Sequence, residues 1–231
     1  MSAKILSSIS VGYGALGRGS KVCAAALTVL MCTYTSALAA EVRLVALGDS
    51  LTQGYGLPQG EGFVPQLQQW LMAQGADVEI MNAGVSGDTT AGGLSRVDWT
   101  LTDDVDGMIV TLGGNDLLRG IAPTAIRANL EGILKAADAK GVEVLLVGLG
   151  ATTNYGAEYK RNFEAIYPDL SEQYGTLYYP NFFAALAEDG VTADAIQTYM
   201  QPDGIHPNAL GVAEIVADIG PKVLELSEIA Q

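Results

Sequence analysis

The sequence predicts an α/β fold in which a parallel sheet is covered by helices on both faces. Five short β-rich runs alternate with longer segments of helical spacing. The runs are nearly continuous in apolar residues, which is typical of strands buried on both faces. With 49% apolar and only 16% charged residues, the chain can bury a substantial core. We therefore expect one compact domain after the N-terminal segment.

The predicted strands are rich in Val, Ile, Leu and Tyr. In chain order they are "VRLVAL" (42–47), "ADVEIMN" (76–82), "DGMIVTL" (106–112), "VEVLLVGL" (142–149) and "GTLYYP" (175–180). Helical spacing of apolar residues is found in "FVPQLQQWLMAQ" (63–74), "TAIRANLEGILKAADAK" (124–140), "YKRNFEAIYPDLSEQ" (159–173) and "NALGVAEIVADIGPKVLELSEI" (208–229). The chain shows no internal repeat and no interdomain linker.

Residues 1–39 are predicted to be a secretory signal peptide that is cleaved from the mature domain, residues 40–231. Lys4, Arg18 and Lys21 precede the apolar stretch "VCAAALTVLMCTYTSALAA" (22–40), which contains the small-residue pattern Ala37-Leu38-Ala39. A membrane anchor is the alternative, since the stretch is nearly long enough to span a bilayer. Its three threonines and one serine make it a weak span, and the cleavage pattern favours removal. The expected location is the periplasm or the cell exterior.

The two cysteines of the chain, Cys23 and Cys32, both lie in this segment. Bulky Met31 before Cys32 argues against a lipoprotein signal, in which a small residue is preferred. Cleavage after Ala39 would leave a mature chain without a thiol. No disulfide, cysteine nucleophile or thiolate metal site is then expected.

Acidic residues dominate the charge. The chain has 12 Lys and Arg against 26 Asp and Glu, a formal net charge of −14, and cleavage would remove three of the basic residues. Nucleic acid and anionic membrane surfaces are therefore poor partners, and no stable membrane insertion is expected after cleavage. A monomer is the default expectation.

Polar and small residues follow the predicted strands, where open parallel sheets bind their ligands. These segments are "GDSLTQGYG" (48–56), "AGVSGDTT" (83–90), "GGNDLLRG" (113–120) and, before the last helix, "DGIHPN" (203–208). Ser50 follows a glycine and an aspartate at a strand end, where it could be a helix cap or a nucleophile.

The only histidine of the chain, His206, supplies what a serine nucleophile needs. A lone histidine is usually a surface or hydrogen-bonded core residue. Here Asp203 lies three residues earlier and can hold the histidine Nδ1–H, which leaves Nε2 free to take the Ser50 proton. Gly87 and Asn115 can provide the donors that an oxyanion requires, through a backbone N–H and a side-chain amide. Turn formation is the alternative role for both.

The motifs "GDSL", "SGDT", "GGND" and "DGIHP" together resemble, in this order, the four blocks of the SGNH (GDSL) hydrolase family. The closer similarity is to the bacterial periplasmic thioesterase I, lysophospholipase and arylesterase subgroup, from Val42 to about Val223. The resemblance implies a flavodoxin-like three-layer α/β/α sandwich with a five-stranded parallel sheet, and hydrolysis of esters or thioesters without metal or cofactor. It implies Ser50 as nucleophile, His206 as general base and Asp203 as its partner. The Ser50 and Gly87 N–H groups and the Asn115 amide would form the oxyanion hole.

Substrate-binding residues are less clearly indicated. Leu117, Leu118 and Ile121 follow the oxyanion block, where they could contact an acyl chain or pack a following helix. In the subgroup that this chain resembles, the matching loop is a mobile element near the acyl chain. Tyr155 could form the opposite wall. The expected substrates are small acyl esters, thioesters or lysophospholipids.

Two other functions are compatible with parts of the sequence. A metal-dependent phosphoesterase would use the hard ligands Asp49, Asp88, Asn115, Asp116 and His206, although two-metal sites usually contain several histidines. A noncatalytic secreted binding module would have kept the fold without the activity. Retention of both Ser50 and His206 favours the enzyme.

Overall fold

A computed structural model describes residues 41–186 and 197–231. The predicted signal peptide lies outside the described residues. Within the described ranges, no helix has the length and hydropathy needed to cross a membrane.

The core of the described structure is a parallel sheet of five strands, as the sequence predicts. The strands are β1 (Val42–Gly48), β2 (Val78–Gly84), β3 (Gly107–Thr111), β4 (Glu143–Val147) and β5 (Leu177–Tyr179). Their order across the sheet is β2-β1-β3-β4-β5, and every neighbouring pair is parallel. This order is that of flavodoxin-like folds, so the predicted fold class is confirmed.

Helices follow the strands as crossovers. They are α1 (Ser50–Gln53), α2 (Phe63–Ala73), α3 (Thr90–Thr100), α4 (Gly114–Leu118), α5 (Pro123–Asp138), α6 (Ala157–Glu164), α7 (Ile166–Tyr174) and α8 (Ala209–Ile229), with 3-10 turns at Thr153–Tyr155 and Ala184–Leu186. Helix α2 packs beside α8, whereas α5 packs against both α3 and α7. Parallel crossovers are right-handed. Because β2 is added on one side of β1 and the later strands on the other side, these two groups of helices lie on opposite faces of the sheet.

Two helical features differ from the sequence-based expectation. Helix α3 was not predicted, because Gly92 and Gly93 lower helix propensity. Tertiary packing explains one of these glycines, since a Cβ on Gly93 would lie 2.3 Å from a Leu112 methyl group. The single helix predicted over 159–173 is two helices, α6 and α7. Pro168 has no N–H for the carbonyl of Glu164, which is the last residue of α6.

The strand order also determines where a site can form. The direction in which the chain adds strands to the sheet reverses between β1 and β3. The loops after these two strands therefore diverge and leave a crevice at their carboxyl ends. Ser50 follows β1 and Asn115 follows β3. The sheet therefore brings together two residues that are 65 positions apart in the sequence.

Candidate active site

Ser50 is the first residue of α1, immediately after β1. The cap of this helix is Asp49, whose side chain accepts the Leu51 N–H at 3.0 Å. The Ser50 hydroxyl is therefore not needed as the cap, and it lies 2.8 Å from His206 Nε2. Gly48 permits the tight turn before it, because a Cβ at this position would lie 2.0 Å from Thr52 Oγ1.

His206 lies at the end of a short hairpin, residues 200–207, that we call the His206 hairpin. Met200 and Pro207 form an antiparallel bridge across its base, and the Gln201 N–H donates to the His206 carbonyl at 2.8 Å. Gly204 takes a φ of +65°, which lets the chain reverse within the hairpin. The histidine is thus held by local backbone contacts on one side and faces Ser50 on the other.

Asp203 makes two hydrogen bonds with His206 and one with the neighbouring Ile205. Its Oδ2 lies 2.7 Å from His206 Nδ1, and its Oδ1 accepts the backbone N–H groups of Ile205 at 2.9 Å and His206 at 3.0 Å. Burial by itself would raise the pKa of this carboxyl. The hydrogen bonds from His206 and Ile205 exceed that effect and lower the pKa of Asp203 to about 2.

Gly87 and Asn115 line the same cavity as Ser50 and His206. Gly87 has a φ of +83°, and its carbonyl accepts from the Arg119 guanidinium at 2.8 Å. In the described part of the chain, the backbone N–H groups of Ser50 and Gly87 donate no hydrogen bond to protein. Residues that line the cavity thus carry two backbone N–H groups without a partner in the described structure and one side-chain amide, the kinds of donor that an oxyanion hole requires.

Asp49 is a supporting residue whose role the motif analysis did not identify. It is 2% exposed, and its Oδ2 accepts from the Asn115 amide at 3.3 Å. Burial raises the pKa of Asp49 to about 6, although the hydrogen bonds from Leu51 and Asn115 act in the opposite direction. The carboxyl therefore orients the amide from the side of β1.

Asp116 and Arg96 also connect the strand-end loops, in roles that the sequence analysis did not predict. Asp116 is fully buried and accepts both the N–H and the hydroxyl of Thr90, at 2.8 and 2.6 Å. Arg96 donates to Asp88 at 2.8 Å and to the carbonyl of Gly48 at 2.9 Å. The roles of these two side chains depend on contacts between loops that are distant in sequence, so only the structure reveals them.

These contacts also bear on the metal-site alternative. Asp49 binds Asn115, Asp88 binds Arg96 and Asp116 binds Thr90. In residues 41–186 and 197–231, no three His, Cys, Asp or Glu side chains form a cluster that could hold a metal ion. The carboxylates that the phosphoesterase would use are thus engaged with protein donors.

The cavity has a volume of about 320 Å³ and is predominantly apolar. Leu117 and Leu118 line it, together with five residues that the sequence analysis did not name as substrate-binding: Leu51, Tyr55, Leu149, Phe183 and Ile205. Ile121 instead packs against the core, and its carbonyl accepts from the Tyr159 hydroxyl at 2.7 Å. Tyr155 does not line the cavity either, but its hydroxyl donates to the carbonyl of Leu118 at 3.2 Å.

The chain is similar to known proteins in both sequence and structure. Residues 46–213 match the GDSL-like Lipase/Acylhydrolase family. Esterase TesA of Pseudomonas aeruginosa is 35% identical over 189 residues, covering 81% of this chain and 90% of the relative. Thioesterase 1/protease 1/lysophospholipase L1 of Escherichia coli (strain K12) is 33% identical, covering 79% and 82%. A crystal structure of TesA superposes with a TM-score of 0.72 at 34% identity, covering 80% and 99% of the two chains.

Proposed function

The chain belongs to the GDSL-like lipase/acylhydrolase family and is an enzyme that hydrolyses ester bonds, and we propose that it does so as a serine esterase with Ser50 as nucleophile. One observation carries the proposal. Asp203, His206 and Ser50 form a continuous chain of contacts at 2.7 and 2.8 Å that ends at an apolar cavity. The nucleophile, its base and the group that orients the base are thus within hydrogen-bonding distance of one another.

The first chemical step is attack by Ser50 Oγ on the ester carbonyl carbon. As the bond forms, His206 Nε2 accepts the hydroxyl proton. Asp203 accepts a hydrogen bond from Nδ1–H, so it selects the tautomer with a free Nε2 and stabilises the imidazolium that forms. Because the pKa of Asp203 is about 2, its carboxylate stays ionised throughout the range in which an imidazole titrates.

The oxyanion of the tetrahedral intermediate is stabilised by three uncharged hydrogen-bond donors. They are the N–H groups of Ser50 and Gly87 and the amide of Asn115. Such donors stabilise the transition state more than the substrate, since the negative charge develops only during attack. His206 then protonates the leaving group, and a water molecule deprotonated by His206 hydrolyses the acyl-enzyme by the same route.

We propose small acyl esters, thioesters or lysophospholipids as the substrates. The acyl chain would lie along Leu117 and Leu118, with Leu149 and Phe183 on the far wall of the cavity. Tyr155 would hold the Leu118 carbonyl from outside the cavity. The names of the relatives include an esterase and a thioesterase/lysophospholipase, so a thiol or an alcohol could be the leaving group.

For the rest of the chain, we propose that residues 1–39 are a signal peptide and that residues 40–231 form the single hydrolase domain. The small-residue pattern before Ala40 supports cleavage there, and the enzyme would act in the periplasm or outside the cell as a monomer.

The test is hydrolysis of p-nitrophenyl acetate and p-nitrophenyl octanoate by residues 40–231 in excess EDTA. We expect turnover that survives the chelator and falls by about 10⁴-fold or more in Ser50→Ala, in His206→Ala and in the double variant alike. The similar losses follow because the two residues act as one unit.

Ser95→Ala is the control, since Ser95 is exposed on α3 and its hydroxyl contacts only its own helix, at the Gly92 carbonyl. It should keep full turnover. Chelator-sensitive activity would support the metal enzyme instead, and losses that multiply in the double variant would contradict a shared role for Ser50 and His206. The ratio of the two esters reports the acyl length that the cavity accepts.

A further inference from the structure

Gln201 makes a set of contacts that joins two loops from opposite ends of the chain. Its side-chain amide donates to the carbonyl of Tyr55 at 2.8 Å and to the carbonyl of Pro207 at 3.0 Å. Tyr55 lies in the loop that follows Ser50, whereas Pro207 directly follows His206. One amide group thus ties the nucleophile loop to the His206 hairpin across 146 residues of sequence.

Gln201 is itself part of the hairpin, and its backbone forms hydrogen bonds with two other hairpin residues. Its N–H donates to the carbonyl of His206 at 2.8 Å, and its carbonyl accepts from the N–H of Gly204 at 2.9 Å. The residue therefore contacts the hairpin near its turn and on both sides of the histidine. A shift of Gln201 would move His206 with it.

The Tyr55 contact reaches the imidazole by a second route. The Tyr55 and His206 ring centroids are 4.7 Å apart, with an angle of 38° between the ring planes. The Gln201 amide holds the Tyr55 carbonyl and so fixes the loop that presents this ring. Gly56 leaves room for the amide, because a Cβ there would lie 2.2 Å from Gln201 Oε1.

From these contacts we propose that Gln201 is a positioning residue that keeps the His206 imidazole aligned with Ser50. The proposal rests on the catalytic role proposed above for His206. Gln201 does not line the cavity, so it acts on the reaction through the histidine and not by touching the substrate. The need for such a residue follows from the partial exposure of the hairpin, whose Asp203 side chain is 36% exposed. Local contacts alone leave an exposed hairpin free to open.

The test replaces Gln201 by Met, which keeps the length of the side chain and removes both amide hydrogen bonds. We expect kcat to fall by about tenfold or more with KM changed by less than about twofold, because a misaligned base slows the chemical step. Gln201→Glu is the second variant. Its carboxylate would face two carbonyl oxygens, so the loss of kcat should be at least as large as in Gln201→Met.

Gln66→Met is the matched control. The Gln66 amide is also half-buried and also donates to two carbonyls, those of Glu61 at 2.7 Å and Ala209 at 3.1 Å. Neither carbonyl belongs to the hairpin, since Glu61 lies before α2 and Ala209 is the first residue of α8, two positions beyond Pro207. The control should lower the thermal midpoint about as much as Gln201→Met does and leave kcat unchanged. Equal kcat values in the two variants would overturn the proposal.

A measurement without substrate separates this proposal from the proposed function. Since His206 is the only histidine, ¹⁵N-labelled histidine gives a single pair of ring-nitrogen signals, recorded at about pH 9, where imidazoles are neutral. The wild-type chain and Gln66→Met should show one tautomer, with the proton on Nδ1. Gln201→Met and Gln201→Glu should show a shifted Nε2 signal, because the hydrogen bond from the Ser50 hydroxyl is lost while Asp203 still holds Nδ1–H. Unchanged spectra would refute the positioning role, even if Ser50 and His206 prove catalytic. A shifted Nε2 signal would uphold it, even if they do not.

Discussion

Two aspartates flank the same cavity, and their carboxyl groups have opposite pKa shifts. Asp203 supports His206 on one side, where burial is partial and three hydrogen-bond donors surround the carboxylate. Asp49 supports Asn115 on the other side, where the carboxyl is almost fully buried. The pKa of Asp203 is lowered to about 2, and the pKa of Asp49 is raised to about 6.

The comparison shows that residue type alone does not decide the charge in a site. Hydrogen-bond donors favour the ionised form of a carboxyl, and removal of water disfavours it. The base side thus has a permanent anion beside the group that becomes positive. The oxyanion side has a carboxyl that ionises less readily, because burial removes water from it. The anion on the base side suits the positive charge that the proposed reaction places on His206.

The largest effect is expected on the base side, from Asp203→Asn. The substitution keeps the shape but removes the anion and can favour the wrong histidine tautomer, so kcat should fall by about a thousandfold or more. Steady-state hydrolysis of p-nitrophenyl acetate measures it. Asp98→Asn, on the exposed face of α3, is the control and should keep its activity. A loss of only a few-fold would show that His206 is oriented without the carboxylate.

The next effect is on the oxyanion side, from Asn115→Ala. Removal of one donor should lower kcat by about 10² to 10³-fold and leave KM nearly unchanged, because the charge it stabilises is absent from the bound substrate. Asn129→Ala removes a comparable half-buried amide, which donates to Thr90 Oγ1 at 3.0 Å, and should cost stability more than turnover. A change confined to KM would remove Asn115 from the oxyanion hole.

The smallest expected effect is on the free energy of unfolding, whose pH dependence differs in sign between the two aspartates. The raised pKa of Asp49 means that its contribution is fully present below the unfolded pKa of about 3.9 and is lost as the pH rises through about 6. The Asp49→Asn variant lacks this loss. Between about pH 4 and pH 7, its free energy of unfolding should therefore gain on the order of 2 kcal/mol relative to the wild-type chain.

Asp203 has the opposite sign and another range. Its lowered pKa gives stability that is present above about pH 3.9 and is lost as the pH falls through about 2. Above about pH 8, where neither carboxyls nor ordinary imidazoles titrate, the difference between Asp203→Asn and the wild-type chain should accordingly stay constant. Urea unfolding at several pH values tests both variants. A constant difference for Asp49→Asn would contradict the raised pKa.

Much of the fold could be predicted from the sequence, because buried parallel strands have an unmistakable pattern of apolar runs. The five strands, the fold class and the family are confirmed. Helix α3 was missed because its glycines are explained only by the side chains of other elements, such as Leu112. Ile121 packs against the core, and the Tyr155 hydroxyl donates to the carbonyl of Leu118. Neither side chain lines the cavity.

Within the site, the sequence by itself determined the pairing of Asp203 with His206. The two residues are three positions apart with Gly204 at the turn between them, so the contact is a property of a single hairpin. Only the tertiary structure decided the contacts of Ser50 with His206, Asn115 with Asp49 and Gln201 with Tyr55, which are 156, 66 and 146 residues apart. Such contacts exist only when the strand order brings separate loops to one edge of the sheet. The depth of burial that raises the pKa of Asp49 arises in the same step.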